Sequence, residues 1–561
     1  MADSTTREVD PGPMVWHGWG DPRRRTGLGD ELRSRLEDAL GPLPGPRPPV
    51  AAGSLRPPAS RLTPEHVDAI RDVVGEHHLD LGARSRVQRA AGRSYPDLIR
   101  LRTGALTTLP DGVVAPRDHA QVLALLRVCA QQRLAVVPVG GGTSVVGGST
   151  PDPGVADAVL AVDIARMDQL VDLDLTAGIA TFEPGLRGAD AEALLRSRGA
   201  SLGHYPQSYE YATLGGFVAT RSAGQASTGL GRIDDRVIGL RAATPVGTLE
   251  VGHATPTAAG PDLRALLIGS EGTLGILTEL RLRVHAAPET ERYEVVATPS
   301  FSSGAATVRA LVRAGAAPDV VRLSDRAESR VQMDAVSGWQ ASALMRFLRW
   351  RSMPEPALLL IGWEGTEEEL ARRRRSAQRV LAARQTVSLG RAPGDRWAQG
   401  RFDGPYLRDD LLDAGVMVET LETAASWSAL GALYLAARDA IEGALASRGT
   451  PGLVLCHVSH AYPTGASLYF TWLARQEVGS ELAQWHAVKS AATDAIVNHG
   501  GTVTHHHAVG RDHRDWMEHE VGALGLEVLR SVKASLDPTG IMNPGALIPP
   551  DTDASTPPHP G

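Results

Sequence analysis

The fold class that the sequence predicts is α+β, with several folding units in one chain. Its 561 residues exceed what a single hydrophobic core usually supports. The contents of 42% hydrophobic and 22% charged residues are those of an ordinary globular protein. From about residue 107 onward, short β-branched runs alternate with helical stretches. The first ninety residues differ, because they are helical pieces interrupted by prolines.

The N-terminal region, residues 1–95, is therefore predicted to be helical. Gly41–Val50 has the composition of a stiff linker, and Thr63 is predicted to cap a helix. Strands are predicted for "DGVVAPRD", "LAVVPV", "AVLAVDI", "GIATFEPG", "VIGLRAATPVG" and "GILTELRLRV", with the helix "HAQVLALLRVCAQQ" between the first two. A last helix is predicted to end before Pro538, and residues 549–561 form a polar tail predicted to be disordered.

Composition excludes several classes of protein. The formal charge of −7, from 57 basic and 64 acidic residues, gives no electrostatic footprint for nucleic acid. The two cysteines, Cys129 and Cys456, are too few for a disulfide framework or a cysteine zinc site. The polar N-terminus lacks the apolar core of a signal peptide, and no transmembrane span is predicted. The expected location is the cytoplasm.

A glycine-rich loop, "GGGTSVVGG" (Gly140–Gly148, the glycine loop), follows the predicted strand "LAVVPV". Glycines let successive backbone amides point at one anion, and Thr143 and Ser144 add hydroxyl donors, which suits a pyrophosphate. The spacing is neither that of a Rossmann fingerprint nor that of a P-loop. Taken alone, the loop is as consistent with an ordinary turn as with a phosphate site.

Three later stretches favour the phosphate site: "PQSYEYATLGGFVATRSAG" (206–224), "GRIDDRVIG" (231–239) and "GSEGTLGILTEL" (269–280). In this order, the motifs resemble the two-part FAD-binding domain of the vanillyl-alcohol oxidase type of flavoprotein. The resemblance implies FAD as the cofactor. The residues it assigns to FAD are Pro138, Val139, Gly140, Gly141, Gly142, Thr143, Ser144, Gln207, Ser208, Thr213, Gly215, Gly216, Thr220, Arg221, Ser222, Ala223, Glu271, Gly272, Thr273, Leu274, Gly275 and Ile276.

Many flavoproteins of this type tether the flavin through a histidine in the glycine loop, where this chain has Thr143. Non-covalent FAD is therefore expected. Further motifs resemble the alkyldihydroxyacetonephosphate synthase family almost end to end. They are "VWHGWG" (15–20), "RSYPDLIRLRTG", "VVRLSDR", "RFDGPYLRDDLLDAG", "VETLETAASW", "GASLYFTW" and "THHHAVGRDH".

The resemblance implies an unusual reaction, in which a fatty alcohol replaces the acyl group of acyl-dihydroxyacetone phosphate. The ether forms through a covalent flavin–substrate adduct without net redox change. Tyr469 stands at the position of the family's catalytic tyrosine, and Arg322 and Arg408 stand at its substrate-binding arginines. Without the resemblance, Tyr469 would be taken for a half-buried strand residue, and Arg408 for a partner of Asp409 or Asp410.

The histidine triplet, His505–His507, coincides with the family's functional histidines, which implies catalytic roles for His505, His506 and His507. Because β-branched residues precede it, we expect an extended run in which His505 and His507 share one face and His506 points oppositely. His507 is the first choice for proton transfer with Tyr469. No metal is expected, since the triplet alone lacks further ligands and the family chemistry needs none.

Residues 339–353, "WQASALMRFLRWRSM", carry arginines and apolar residues at helical spacing. This helix either lies on a membrane surface and admits lipid, or packs on the core of its own domain, and the sequence leaves both open. The resemblance also implies a homodimer. The predicted organisation is completed by an FAD-binding domain (96–287), an α/β cap domain for substrate (288–500) and a C-terminal segment that completes the flavin site (501–548).

A second hypothesis keeps the fold and changes the chemistry to that of an FAD-linked dehydrogenase or oxidase of a 2-hydroxy acid such as lactate or glycolate. Such proteins carry late histidine-glycine and glutamate-histidine-glycine motifs, whereas this chain has "SHAYPTGASLYFTW" and "THHHAVG" there. The difference favours the lipid enzyme. A non-catalytic FAD-binding scaffold ranks last, because Tyr469 and the histidines are present.

Overall fold

In a computed structural model, residues 14–253, 256–334 and 339–550 of the chain are described. Of the tail predicted to be disordered, residues 551–561 lie outside this range. Among the described residues, no helix combines the length and apolar content needed to cross a bilayer. Short 3-10 turns occur at Pro22–Arg24, Ala52–Ser54, Glu76–His78 and Arg514–Trp516.

The helices are α1 Asp30–Leu40, α2 Pro64–Val74, α3 Ala83–Gln88, α4 Tyr95–Thr103, α5 His119–Gln131, α6 Gly188–Arg196, α7 Leu214–Ala219, α8 Ser227–Leu230, α9 Ile233–Arg236, α10 Arg264–Leu267, α11 Phe301–Arg313, α12 Arg326–Asp334, α13 Trp339–Trp350, α14 Glu367–Ala382, α15 Ala392–Gly400, α16 Gly404–Asp413, α17 Leu430–Ser447, α18 Glu481–Asn498 and α19 Met517–Leu536.

The strands are β1 Leu79–Asp80, β2 Gly112–Val114, β3 Leu134–Val139, β4 Ala158–Asp163, β5 Leu170–Asp174, β6 Ile179–Phe182, β7 Ala200–Ser201, β8 Val237–Thr244, β9 Gly247–Val251, β10 Ile276–Arg283, β11 His285–Ala286, β12 Thr290–Thr298, β13 Val320–Ser324, β14 Ala357–Gly365, β15 Val387–Gly390, β16 Val416–Ser426, β17 Leu453–Ala461 and β18 Gly465–Arg475.

The first sheet has the order β1-β2-β4-β3, and its strands β2, β4 and β3 are parallel. Nearly every residue of β3 and β4 is buried, as expected for strands covered on both faces. Helix α2, which begins at a capping box formed by Thr63 and His66, packs with α5 on this sheet. Because β3 ends at Val139, the glycine loop starts at the carboxyl edge of the sheet, where α/β folds commonly bind ligands.

A second, antiparallel sheet has the order β5-β6-β10-β8-β9 and packs against α6, α7 and α10. Its central strand β10 pairs with both β6 and β8. The short strands β7 and β11 pair separately. Two sheets thus make up the region predicted to bind FAD, as expected for a two-part domain.

The third large sheet, the cap sheet, is antiparallel with the order β15-β12-β14-β13-β17-β18-β16. One face carries Leu468, Phe470 and Trp472 and is covered by α11, α14, α17 and α18. Successive strand residues point to opposite faces, so Tyr469, Thr471 and Leu473 lie on the other face. That face borders a large cavity.

The C-terminal segment, residues 501–548, returns from the cap sheet to the first sheet. The Val136 N–H donates to the Ile541 carbonyl, and the Asn543 N–H donates to the Val136 carbonyl. The Arg511 N–H donates to the Val146 carbonyl in the glycine loop. The segment therefore packs on the region predicted to bind FAD at Arg511 and again at residues 541–543.

The predicted fold class, α+β with a two-part FAD-binding domain, a cap domain and an N-terminal helical region, is confirmed by this architecture. One element crosses a predicted boundary. Strand β1, inside residues 1–95, pairs with β2 and so belongs to the first sheet. Two residues are too few to leave a β-branched pattern in the sequence.

Candidate active site

A large cavity of about 2,710 Å³ runs between the glycine loop and the cap sheet. Its walls include the loops at the carboxyl edge of the first sheet, the free face of the cap sheet and part of α1. Typical small-molecule sites occupy roughly 300–1,000 Å³. The cavity can therefore hold a dinucleotide together with an extended second ligand.

The glycine loop forms one end of this cavity and fits an anionic cofactor. A Cβ atom on Gly140 would lie 2.3 Å from the Thr213 hydroxyl, and one on Gly141 would lie 2.1 Å from the Tyr211 carbonyl oxygen. Gly142 has a φ of +66°, which glycine adopts without strain. Within the described residues, the N–H groups of residues 141–145 donate to no protein acceptor. These free donors at a strand end suit the pyrophosphate of FAD.

Helix α7 lies against the glycine loop. Thr213 caps it by accepting a hydrogen bond from the Gly216 N–H, so the helix begins beside Gly140. Most residues assigned to FAD line the cavity. They are Pro138, Val139, Gly140, Gly141, Gly142, Thr143, Ser144, Gln207, Ser208, Thr213, Gly215, Gly216, Thr220, Ser222, Ala223, Glu271, Gly272, Gly275 and Ile276.

Three residues assigned to FAD lie elsewhere. Arg221 is half exposed and pairs with Asp234 at 3.0 Å. Thr273 is buried and donates its hydroxyl hydrogen to the Ser270 carbonyl, while Leu274 packs in the core of the second sheet. These three support the neighbouring loops rather than line the cavity.

Glu271 lines the cavity and also binds the C-terminal segment. Its carboxyl group accepts hydrogen bonds of 2.8 Å from the N–H groups of both Val509 and Gly510. Burial raises the pKa of Glu271 to about 7. The motif "GSEGTLG" therefore holds the C-terminal segment against the predicted flavin site.

Tyr469 projects from β18 at the polar end of the cap sheet's cavity face. The cross-strand neighbours of Tyr469 are His457 on β17 and Glu422 on β16. Its ring stacks on His457 with a centroid distance of 4.9 Å and contacts the rings of His506 and His507 at 5.9 and 5.4 Å. Burial raises the pKa of Tyr469 to about 12, so the phenol is protonated at neutral pH.

Three carboxylates fix the segment that carries the histidine triplet. Glu520 accepts hydrogen bonds from the Thr502 hydroxyl and the Val503 N–H. Glu271 accepts one from the Val509 N–H, two residues beyond the triplet. Between them, Glu422 accepts from the Thr504 hydroxyl at 2.6 Å and from three successive N–H groups, those of His505, His506 and His507. One buried carboxylate thus receives four hydrogen bonds.

The expected extended run with His505 and His507 on one face is therefore wrong. Three consecutive amides can converge on one carboxylate only where the chain bends, because a strand points successive amides in opposite directions. His506 and His507 line the cavity, whereas His505 turns away and its Nε2 lies 2.6 Å from the Tyr462 hydroxyl. Two rings still face the cavity, but they are adjacent ones.

Burial makes the cavity-facing rings neutral at physiological pH. It lowers the pKa of His506 to about 4 and also lowers the pKa of His507. A neutral imidazole can accept a proton at one nitrogen and donate one from the other. Both rings can therefore act as bases beside the Tyr469 phenol.

Arg322 reaches the same face from β13. Its guanidinium donates to Glu328 at 2.5 Å, and the other oxygen of Glu328 lies 3.1 Å from His457 Nδ1. Arg322, Glu328 and His457 are thus linked by hydrogen bonds, and the His457 ring stacks on the Tyr469 ring. The Nε atom of Arg322 has no partner among the described residues, so the guanidinium keeps one free donor beside the cavity.

Arg408 also lines the cavity. Its Nη1 donates to the Arg93 carbonyl at 2.9 Å, while Nε and Nη2 have no hydrogen-bond partner among the described residues. The alternative partner Asp409 is 3.9 Å away and accepts instead from the Trp19 N–H, and Asp410 binds Arg25. A guanidinium with two free, buried donor atoms is suited to an anion.

Several residues of this site were not predicted from the sequence. Glu422, Glu328, His457 and His460 are all buried, and each contacts a predicted site residue or lines the cavity. Glu422 lies inside the motif "VETLETAASW", whereas His457 lies two residues before "SHAYPTGASLYFTW", and nothing in their spacing indicated which side chain faces the site. Period-two alternation from Tyr469, together with strand pairing, would have selected them once the cap sheet's register was known.

Comparison with known protein families identifies the class. Residues 110–252 match the family described as "FAD binding domain", and residues 287–547 match "FAD linked oxidases, C-terminal domain". The chain is therefore an FAD-dependent enzyme with the two domains of this flavoprotein class.

Comparison with individual proteins identifies the family within the class. Alkyldihydroxyacetonephosphate synthase of Trypanosoma brucei brucei is 31% identical over 97% of this chain and 94% of its own length. The enzyme of the same name from Dictyostelium discoideum is 31% identical over 96% and 93%. A solved structure of an alkyldihydroxyacetonephosphate synthase superposes with a TM-score of 0.79 at 29% identity, over 95% of this chain and 98% of that one. This chain belongs to the alkyldihydroxyacetonephosphate synthase family.

More distant matches are to oxidoreductases. A glycolate oxidase subunit of Bacillus subtilis is 27% identical over 78% of this chain and 89% of its own length. p-Cresol methylhydroxylase superposes with a TM-score of 0.64 at 13% identity, over 86% of this chain and 96% of its own, which shows a shared fold. The oxidoreductases are thus more remote than the synthases.

Proposed function

We propose that this enzyme replaces the acyl group of an acyl-dihydroxyacetone phosphate with a fatty alcohol and so forms an ether without net redox change. The observation that carries the proposal is the cavity face of the cap sheet. Along β18, Tyr469 is followed by Thr471 and then Leu473, and Leu453 and Val418 flank Leu473. A substrate with a polar head and a long hydrocarbon tail matches this change from polar to apolar side chains along the strand. The family relationship supports the same substrates.

The phosphate of such a substrate needs a cation that no carboxylate has neutralised. Arg408 meets this need best, since two of its donor atoms are buried and have no hydrogen-bond partner among the described residues, and the Asp409 carboxylate lies 3.9 Å away. Arg322 is partly neutralised by Glu328, so its role is to contact the ketone head while it orients His457. Guanidinium forks suit phosphate oxygens and stay charged at all physiological pH values.

The reaction also needs proton transfer at the carbon next to the ketone. Tyr469 lines the cavity and its ring contacts both neutral histidines, and its hydroxyl can take the substrate proton while it passes its own to His507 or His506. His505 acts through the others, because its ring faces Tyr462. Tyr469 therefore moves the proton, and the histidine triplet holds it.

FAD, when bound, supplies an electrophilic ring system that can take up the substrate carbanion reversibly. The glycine loop, the start of α7 and the wall formed by Gly272, Gly275 and Ile276 would hold it. The loop offers Thr143 and Ser144 rather than a histidine, so we infer that FAD is held non-covalently. The C-terminal segment packs on the loop, since the Arg511 N–H donates to the Val146 carbonyl.

The test is to incubate the purified yellow protein with acyl-dihydroxyacetone phosphate and labelled hexadecanol. Labelled ether is expected, with release of fatty acid and no consumption of oxygen or electron acceptor. Reduction of the flavin by D-lactate or glycolate, with no ether formed, would assign the chain to the 2-hydroxy-acid oxidoreductases. Acid precipitation of the same sample should release free FAD.

From the family relationship we also propose that the chain forms a homodimer.

We further propose that α13 brings the enzyme into peripheral contact with a membrane. Leu348 is fully buried and Leu344 packs on the cap core, whereas Trp350 and Phe347 are 77% and 41% exposed. Arg349 is also exposed and lies at the cavity wall. The helix is thus anchored on one side and presents aromatic and basic residues on the other, next to the cavity that takes the lipid.

Vesicle flotation checks the membrane contact. Wild-type protein is expected to float with vesicles that contain anionic lipid, and the R346E/R349E variant is expected to float several-fold less, because each basic residue near such a surface contributes about 1 kcal/mol. The matched control is R372E/R375E, which makes the same charge change at exposed positions of α14. Equal flotation of all three proteins would contradict the proposal.

A further inference from the structure

His460, on β17, forms a compact group with two members of the histidine triplet. One ring nitrogen from each of His460, His505 and His506 lies within 4.8 Å of the other two. The Nδ1 atoms of His505 and His506 are 2.9 Å apart. The ring centroid of His460 lies 5.1 Å from that of His505 and 5.4 Å from that of His506.

The other ring nitrogens have partners of the kind that surround metal-binding histidines. His460 Nε2 lies 3.0 Å from the Gly224 carbonyl, which can only accept, so this nitrogen carries the hydrogen and Nδ1 keeps a lone pair. His505 Nε2 lies 2.6 Å from the Tyr462 hydroxyl. Ligating histidines commonly donate their second N–H to such outer partners, which fixes the tautomer and the ring orientation.

The surroundings also fix the backbone and supply charge. His460 lies within a paired strand, and Glu422 holds the N–H groups of His505 and His506. The Glu422 carboxylate is 3.6 Å from His506 Nδ1, so a negative charge stands directly behind the group. Hydroxyls of Ser459 and Ser467, at 3.0 and 3.3 Å from His460 Nδ1, can rotate away from the lone pair.

We propose that His460, His505 and His506 bind one transition-metal ion of the Zn²⁺ type, and that bound metal inhibits the enzyme. Three imidazoles suit Zn²⁺, Ni²⁺ and Co²⁺. Zn–N bonds of about 2.0–2.1 Å place tetrahedral ligands about 3.3 Å apart, so the widest pair need close by only about 1.5 Å. His460 and His506 line the cavity, which leaves the fourth coordination position open toward substrate.

Inhibition follows because the metal would take the lone pair of His506, whose ring is one of the two bases beside Tyr469. This half of the proposal rests on the proposed function, whereas metal binding itself does not. The site differs from the histidine triplet considered in the sequence: His507 is outside it, and His460 comes from a different element.

Metal analysis after equilibrium dialysis tests binding directly. Untagged, FAD-loaded protein dialysed against micromolar ZnCl₂ is expected to hold about one Zn²⁺ per chain. H460Q, H505Q and H506Q should each bind Zn²⁺ at least tenfold more weakly. H499Q, which removes an exposed histidine at the end of α18, should bind as wild type does. Unchanged affinity in the three cluster variants would overturn the proposal.

Cobalt absorption spectra and zinc inhibition provide two further measurements. Variants are compared only if their FAD content matches that of wild type, and any one of the three that meets this condition suffices. Co²⁺ should give visible absorption bands of a tetrahedral site in wild type that are absent in H505Q. Zn²⁺ should slow ether formation reversibly, with full recovery on chelation, and inhibit H505Q at least tenfold less; equal inhibition of both proteins would contradict the regulatory half.

Discussion

Replacing Tyr469 by phenylalanine is expected to reduce ether formation by about 10²–10⁴-fold, the range typical for loss of a proton-transferring side chain. The substitution removes the hydroxyl and keeps the ring that stacks on His457. The Tyr469 ring lies on the cavity wall and contacts the rings of both cavity-facing histidines. Without it, the neutral rings have no intermediary to the substrate carbon.

The measurement is the initial rate of labelled ether formation, together with solvent exchange of the substrate's hydrogen next to the ketone. Both should fall in Y469F while bound FAD and its absorption spectrum stay unchanged. Y293F is the matched control, because Tyr293 is a buried cap-sheet tyrosine outside the cavity wall whose hydroxyl donates to Glu291. An exchange rate in Y469F within about threefold of wild type would remove Tyr469 from the chemistry.

The fold was largely predictable from the sequence because its signals are local. Parallel strands such as β3 and β4 are continuous apolar runs, and Thr63 carries a capping signal that the structure confirms. The cap sheet was harder, since its strand order follows from long-range pairing. Nothing in the sequence states that β16, near residue 420, lies beside β18 rather than beside β17.

The site was predictable where backbone chemistry dictates residue type. Glycines at 140 and 141 are required because Thr213 and Tyr211 occupy the space of a side chain. The bend at the histidine triplet was not predictable, because local β propensity is overridden by Glu422, 83 residues away in the chain. Recognising the motif did not reveal which histidines reach the cavity.

The same reasoning makes Glu422 the most sensitive position after Tyr469. Glu422→Ala leaves three backbone N–H groups and the Thr504 hydroxyl without their acceptor in a buried site. Each unsatisfied buried donor costs about 1–3 kcal/mol, so the free energy of unfolding should fall by about 3–5 kcal/mol after partial rescue by water. Ether formation should drop at least 10²-fold, since His506 and His507 lose their fixed positions.

Glu422→Gln separates positioning from stability. One amide oxygen remains to accept, but the NH₂ group faces donors, so we expect a smaller loss of stability and still at least a tenfold loss of rate. E364Q is the matched control: burial raises the pKa of Glu364 to about 8, so this buried carboxyl is already protonated at neutral pH and an amide replaces it closely. Rates are compared well below each variant's Tm, with FAD content equal. Full activity in E422Q would show that the histidines hold their positions without the carboxylate.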